Sequence, residues 1–183
     1  SGEPKNLVKA CANLFYVRKR IGMIKVLKAD HIDGLLWEGR DIMYERILVP
    51  MDGSKNAHAA LMEATKLAKE LGSKLFIVSV ASDQTYAHYG AEFGSEIVTH
   101  FKDAAAEFLQ SAVKEVEAQG VPVETSFKVG LPKPTIAETL PNELKTDLTV
   151  IGRSGVHGLG RAIMGSTTTY VVNNSKSSVL VVD

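Results

Sequence analysis

The sequence lacks several features that would place it in a specialised class of protein. It has one cysteine, Cys11, among 183 residues, which excludes an intrachain disulfide and a metal site built on several cysteines. Lysine plus arginine and aspartate plus glutamate both number 21, so the overall charge does not indicate nucleic-acid or anionic-membrane binding. No apolar run approaches the ~20 residues that a membrane-spanning helix needs. We therefore expect a cytoplasmic protein that binds neither membrane nor nucleic acid.

The first 42 residues do not follow the pattern of the rest of the chain. Apolar residues at helical spacing predict a helix over Asn6 to Val17, and Met23 to Leu27 is typical of a short strand. The chain begins Ser-Gly rather than with Met, which indicates a processed or introduced end. We therefore divide the chain into residues 1–42, an N-terminal extension of unknown role whose native origin stays open, and residues 43–183, one domain.

From Tyr44 onward, short apolar runs alternate with amphipathic stretches. Five runs are typical of strands: Arg46 to Asp52, Lys74 to Ala81, Val121 to Gly130, Asp147 to Ile151 and Ser178 to Val182. The first helix is predicted from an N-cap at Ser54 to Gly72, and the last over Ser166 to Asn173. This alternation predicts an α/β fold, a doubly wound five-stranded parallel sheet with helices on both faces.

A glycine-rich segment follows the fourth strand. Its five glycines are Gly152, Gly155, Gly158, Gly160 and Gly165. In the Walker A pattern, Arg161 and Ala162 stand where a lysine and a hydroxyl residue would reach phosphate and magnesium. In the dinucleotide-binding pattern, Ile163 stands where the third glycine belongs, and the segment follows the fourth strand rather than the first. Neither of these two motifs is therefore present.

The outer glycines of the segment still indicate an anion site. Gly152 and Gly155 at a strand end would let the backbone approach a ligand and adopt positive φ. Gly165 and Ser166 open a helix, where unpaired N–H groups and the helix dipole favour an anion. Arg153 adds positive charge. The alternative is a flexible linker between strand and helix, and the spacing favours the phosphate site.

The expected topology brings the end of the first strand to the same place. In doubly wound sheets, ligands bind beyond the carboxyl ends of the strands, where the strand order reverses. With a strand order of 3-2-1-4-5, Pro50, Met51 and Asp52 would face Gly152 to Gly155. Asp52 could accept hydrogen bonds from a ribose or base, or lie near a metal. Alternatively, it only caps the turn after the strand.

Three segments together resemble a known family. YERILVPMDGS at the first strand, VGLP before the third helix and the pattern G-x2-G-x9-G-[ST] are similar to those of universal stress proteins, over residues 44–182. The resemblance implies an adenine nucleotide alpha hydrolase-like fold, a homodimer and ATP as the ligand, because this glycine pattern is associated with the ATP-binding branch. The residues that it nominates are Pro50, Met51, Asp52 and Val80 for adenine, and Gly152, Arg153, Gly155, Gly165, Ser166 and Thr167 for ribose and phosphates.

The last predicted strand, Ser178 to Val182, is apolar and could be either an internal core strand or a strand at a sheet edge. A bare apolar edge invites aggregation, and pairing with a second copy across a two-fold axis would cover it. The sequence therefore predicts a homodimer through this strand.

Three functions compete for the predicted site. The first is a regulatory or stress-response protein that binds ATP, with an accompanying Mg²⁺ or Mn²⁺ left open. The second is a slow ATP hydrolase or a phosphoryl or adenylyl transferase, which would need a base and a charge clamp at the γ-phosphate. Asp52 is the one obvious acid near the site, and the glycine segment holds no lysine. The third is a scaffold with an empty pocket. The sequence favours the first, and we assign no catalytic residue.

Overall fold

A computed structural model of the chain describes residues 14–19, 23–25, 44–82, 94–154 and 164–183. These residues contain a seven-stranded sheet. Its strands are β1 (Leu14–Lys19), β2 (Met23–Lys25), β3 (Arg46–Pro50), β4 (Lys74–Ser82), β5 (Val123–Gly130), β6 (Leu148–Gly152) and β7 (Ser178–Val182). The spatial order of the strands is β2-β1-β7-β6-β3-β4-β5.

The five strands from β3 to β7 run parallel to one another. β3 pairs with β4 on one side and with β6 on the other. β5 pairs with the outer side of β4, and β7 pairs with the outer side of β6. Counted along the domain, this order is 3-2-1-4-5, so the predicted doubly wound sheet is confirmed. The strand order reverses between β3 and β6, where ligands bind in such sheets.

The N-terminal extension adds two antiparallel strands to this sheet. β1 pairs with β7, and β2 pairs with β1. The helix predicted over Asn6 to Val17 is therefore wrong for residues 14–17, and residues 6–13 lie outside the described residues. Backbone pairing along the edge of β7 outweighs a short helical periodicity, which is a weak local signal. The strand expected from Met23 is present over Met23–Lys25.

Within the described residues, four helical segments cover the sheet. They are α1 (Lys55–Leu71), α2 (Gly94–Glu117), α3 (residues 132–144) and α4 (Ser166–Asn174). α3 consists of three consecutive parts: a helical turn at Pro132–Pro134, a π-helical turn at Thr135–Thr139 and a short α-helix at Leu140–Leu144. α1 begins as predicted, because Ser54 Oγ accepts a hydrogen bond from the Ala57 N–H at 3.1 Å. It ends at Gly72, whose φ of 70° is the left-handed conformation of a glycine C-cap. No helix in the described ranges is long and apolar enough to cross a membrane.

The core lies on both faces of the sheet. Ile47 and Val49 pack with apolar residues of α1 and α2 on one face, while Leu48 packs with α3 and α4 on the other. All three side chains are fully buried. A strand buried on both faces is expected in a parallel sheet with helices on each side, and this position places the carboxyl end of β3 between the two helical layers.

Candidate functional site

A cleft opens at the carboxyl ends of β3, β4 and β6. Its volume is about 660 Å³, within the ~300–1,000 Å³ of small-molecule sites. Its walls come from the ends of these strands, one residue of β5, the starts of α1 and α4, one face of α2 and the start of α3. The cleft therefore lies where the strand order of the sheet reverses.

Gly152 shapes the cleft by letting two backbone segments approach each other. A Cβ at this position would lie 2.6 Å from the carbonyl oxygen of Asn56, in the first turn of α1. Among the described glycines, positive φ occurs at Gly53, Gly72 and Gly120. The expectation of positive φ at Gly152 is therefore wrong, and its lack of a side chain serves close packing between β6 and α1.

The start of α4 forms the polar end of the cleft. Gly165 is the N-cap and offers no side-chain hydrogen bond to the first turn. It is tied in place because its own N–H donates to Arg153 O at 2.9 Å. Ser166, Thr167 and Thr168 of the first turn line the cleft. Backbone N–H groups of such a turn lack intrahelical partners, and together with the helix dipole they favour an anion.

Two hydrogen bonds fix the segment that faces this helix start. The buried Thr168 hydroxyl donates to Gly152 O at 2.8 Å, which joins α4 to the end of β6. The Asn56 amide donates to Ser154 Oγ at 2.6 Å, and Ser154 lines the cleft. The Ser154 hydroxyl and the first turn of α4 are thus held on the same side of the cleft.

Asp52 lies at the end of β3, on the cleft wall. Its Oδ1 accepts a hydrogen bond from the Ser54 N–H at 3.0 Å. The carboxylate therefore caps the turn into α1, as the simpler of the two sequence interpretations expected. Because it also lines the cleft, the turn holds this carboxylate in a defined position.

The other end of the cleft is apolar and aromatic. Val78, Val80 and Ala81 of β4 contribute the wall of the sheet, and the aromatic side chains are Phe101, Phe108 and Phe127. Phe101 is 40% exposed, so one ring stands at the solvent side of the cleft. A wall of this composition suits a flat heteroaromatic group.

Comparison with known proteins identifies the family. The sequence model described as the universal stress protein family matches residues 43–183. The chain belongs to the universal stress protein family. A universal stress protein of Staphylococcus aureus (strain USA300) is 38% identical over 146 residues, which are 77% of this chain and 85% of that relative.

Solved universal stress proteins share the fold. UspA from Lactobacillus plantarum is 30% identical, with a TM-score of 0.62, over 76% of this chain and 98% of that one. A universal stress protein in complex with cAMP is 26% identical, with a TM-score of 0.57, over 77% of this chain and 98% of that one. About three quarters of this universal stress protein therefore covers nearly the whole of each of these two neighbours.

The structure brings most of the predicted site residues of this universal stress protein together. Those that line the cleft are Pro50, Met51, Asp52, Val80, Gly152, Gly165, Ser166 and Thr167. Gly155 lies outside the described residues. Arg153 does not line the cleft: its N–H donates to Val182 O at 2.7 Å and its guanidinium pairs with Asp183 at 3.1 Å. A role in binding stays a prediction for all of these residues.

The sequence interpretation missed several residues of the site. Phe101 and Phe108 belong to an apolar stripe along α2, and such a stripe predicts core packing even where, as here, part of it extends past the sheet into a cleft. Asn56 and Ser154 are 98 positions apart and carry no sequence signal for their hydrogen bond. No group of three or more His, Cys, Asp and Glu side chains able to hold a metal occurs among the described residues.

Proposed function

We propose that this universal stress protein binds ATP in the cleft and acts as a nucleotide-dependent regulatory or stress-response protein. One observation carries the proposal: the ends of β3 and β6 and the first turn of α4 converge on one cleft. This arrangement combines an anion-binding helix start with an apolar, aromatic wall, and a nucleotide has the corresponding two ends.

The proposed ligand would lie along the cleft from its polar to its apolar end. The phosphates would take the N–H groups of Ser166 and Thr167 and the Ser154 hydroxyl, and Asp52 would accept hydrogen bonds from the ribose. The base would lie against Val80 and the neighbouring rings. An Mg²⁺ or Mn²⁺ ion would then be held chiefly by phosphate oxygens.

Adenine as the base is supported by two independent lines. A neighbour with the same fold was solved in complex with cAMP. The spacing of Gly152, Gly155 and Gly165-Ser166 resembles that of the ATP-binding branch of the family, which favours a ligand with a longer phosphate chain.

The side chains that line the cleft favour ATP binding over catalysis of ATP hydrolysis or group transfer. Among the described residues of the cleft, Asp52 is the one ionisable side chain, and its Oδ1 already caps a turn. Hydrolysis or group transfer needs a positioned base and cations at the γ-phosphate. We therefore place slow ATP hydrolysis and phosphoryl or adenylyl transfer behind regulation. A cytoplasmic location and a homodimer through Ser178 to Val182 complete the proposal.

The ligand is tested by what the purified protein carries and binds. The protein is prepared without added nucleotide and denatured, and the released small molecules are identified by mass spectrometry. Titration calorimetry then compares ATP, ADP and cAMP. Bound ATP, or preferential binding of ATP, supports the proposal. Stoichiometric ADP supports hydrolysis. A preference for cAMP would mean that cAMP, and not ATP, is the ligand, and no binding of any nucleotide overturns the proposal.

Ser166→Asp tests where the phosphates lie. Ser166 is exposed in the first turn of α4, where a carboxylate stabilises the helix dipole but repels a bound phosphate. We expect ATP affinity to fall about tenfold or more, given the strength of like-charge repulsion at short range, with cAMP affected less and thermal stability unchanged or higher. Asn142→Asp, an exposed site near the amino end of β6, is the matched control for charge. Equal loss in both variants would contradict the placement.

A further inference from the structure

One edge of β7 pairs with a strand that lies outside the residues matched by the family model. β7 pairs with β6 on one side and with β1 on the other. β1 precedes the family match, which starts at residue 43. The part of the chain that matches the family would therefore leave this edge of β7 unpaired.

An unpaired β7 edge would be prone to self-association. Val179, Leu180, Val181 and Val182 are each at most 5% exposed, so the sheet is apolar on both faces up to its edge. A flat apolar edge with open N–H and C=O groups pairs readily with another strand. A closed assembly results when an identical strand approaches across a two-fold axis, and two identical strands related in this way run antiparallel.

β1 occupies the edge in the same direction that a second β7 would take. It runs antiparallel to β7, with Tyr16, Val17 and Arg18 opposite Val181, Leu180 and Val179. The backbone groups that would hydrogen-bond to a second copy are therefore engaged within the chain. A single chain cannot offer the same edge to β1 and to a partner at once.

The pairing of β1 is short and irregular. It has four register pairs, with a shift between Leu14 and Tyr16, and such a bulge disrupts the ladder locally. β2, which flanks β1 on its outer side, has three residues. A two-stranded hairpin of this size has little stability of its own, so β1 can be displaced from the edge without unfolding the domain.

From this geometry we propose that β1 is an intramolecular competitor that blocks the β7 edge against a second copy of this chain, an inference that rests on the proposed homodimer through Ser178 to Val182. The proposal does not depend on nucleotide binding. If β1 leaves the edge in about one molecule in ten, the apparent dissociation constant of the dimer rises about 100-fold, because both copies must be open.

A reversible disulfide between β1 and β7 tests the competition directly. Arg18 and Val179 are opposite each other, and opposed residues of antiparallel strands lie ~4.5–5.5 Å apart at Cα, within the range a disulfide needs. The variant is Arg18→Cys with Val179→Cys in a Cys11→Ser background, and Val179→Cys alone is the control. Sedimentation measures the dimer dissociation constant of the oxidised and the reduced protein.

The oxidised double variant should be monomeric at every concentration, and reduction should restore the association of the single-cysteine control. Equal association of the two redox forms would overturn the proposal, because the surface would lie elsewhere. Failure of the disulfide to form under oxidation would also overturn it, since β1 would not be at the edge.

A second variant, Tyr16→Pro with Val17→Pro, removes two adjacent N–H groups of β1, which point to opposite sides of the strand. One of them faces β7. We expect the variant to dimerise about 10- to 100-fold more tightly than the natural chain, with the circular dichroism of the domain retained. No tightening in a folded variant would refute the competition, whatever the nucleotide experiments show.

Discussion

Gly152→Ala separates a structural role of this glycine from a role in ligand binding. The added Cβ would lie 2.6 Å from Asn56 O, 2.7 Å from Asn56 C and 3.0 Å from Ala57 N. All three atoms are backbone, so no side-chain rotation can relieve the contact. Either the end of β6 or the start of α1 has to move by roughly 0.8 Å to restore ordinary contact distances.

The size of the effect follows from the position of the contact. Gly152 is buried, and both segments are held by a hydrogen-bonded sheet and a capped helix. Overpacking of this kind costs about 1–3 kcal/mol. In a protein of this size, about 1 kcal/mol shifts the midpoint of thermal unfolding by about 2–4 °C, so we expect a fall of about 2–12 °C.

The assay is thermal and urea unfolding followed by circular dichroism, with and without ATP. Gly130→Ala is the matched control, because its Cβ would lie 3.4 Å from the Thr135 hydroxyl, an ordinary contact, and we expect a change within about 1 kcal/mol. A Gly152→Ala protein with unaltered unfolding and a selective loss of ATP binding would refute the packing argument. The glycine would then be required for close approach to the ligand.

Two further substitutions test contacts at opposite ends of the central strands β3 and β6. Asp147→Ala removes a carboxylate that accepts hydrogen bonds from Glu45 N at 2.8 Å and Arg46 N at 3.1 Å. We expect the free energy of unfolding in urea to fall by about 1.5–3 kcal/mol. A fall no larger than that of the exposed Asp103→Ala would contradict this. Asn56→Ala frees the Ser154 hydroxyl from its amide donor, and calorimetry should show about fivefold weaker ATP binding, the equivalent of one ordinary hydrogen bond. Unchanged affinity, as expected for Asn142→Ala, would show that Ser154 does not contact the ligand.

Much of the cleft could be predicted because parallel sheets impose it. Once β3 and β6 are recognised as strands on either side of the reversal point, their carboxyl ends must lie side by side, which places Asp52 next to Gly152. The α4 start follows from Gly165-Ser166 after a strand. Residues of α2 and β5 could not be predicted in the same way, because periodicity does not distinguish a side chain in the core from one that faces a cleft.

The sequence by itself determined the α/β class and the helix start that offers an anion site, since both depend on local patterns and on rules of chain connection. Only the tertiary structure decided what Gly152 is for, because the distance to Asn56 O depends on how α1 packs against the sheet. It also decided the direction of Arg153, whose guanidinium meets Asp183 beside β7. The same is true of β1, whose short apolar sequence could form a helix or a strand until the open edge of β7 provided hydrogen-bond partners for a strand.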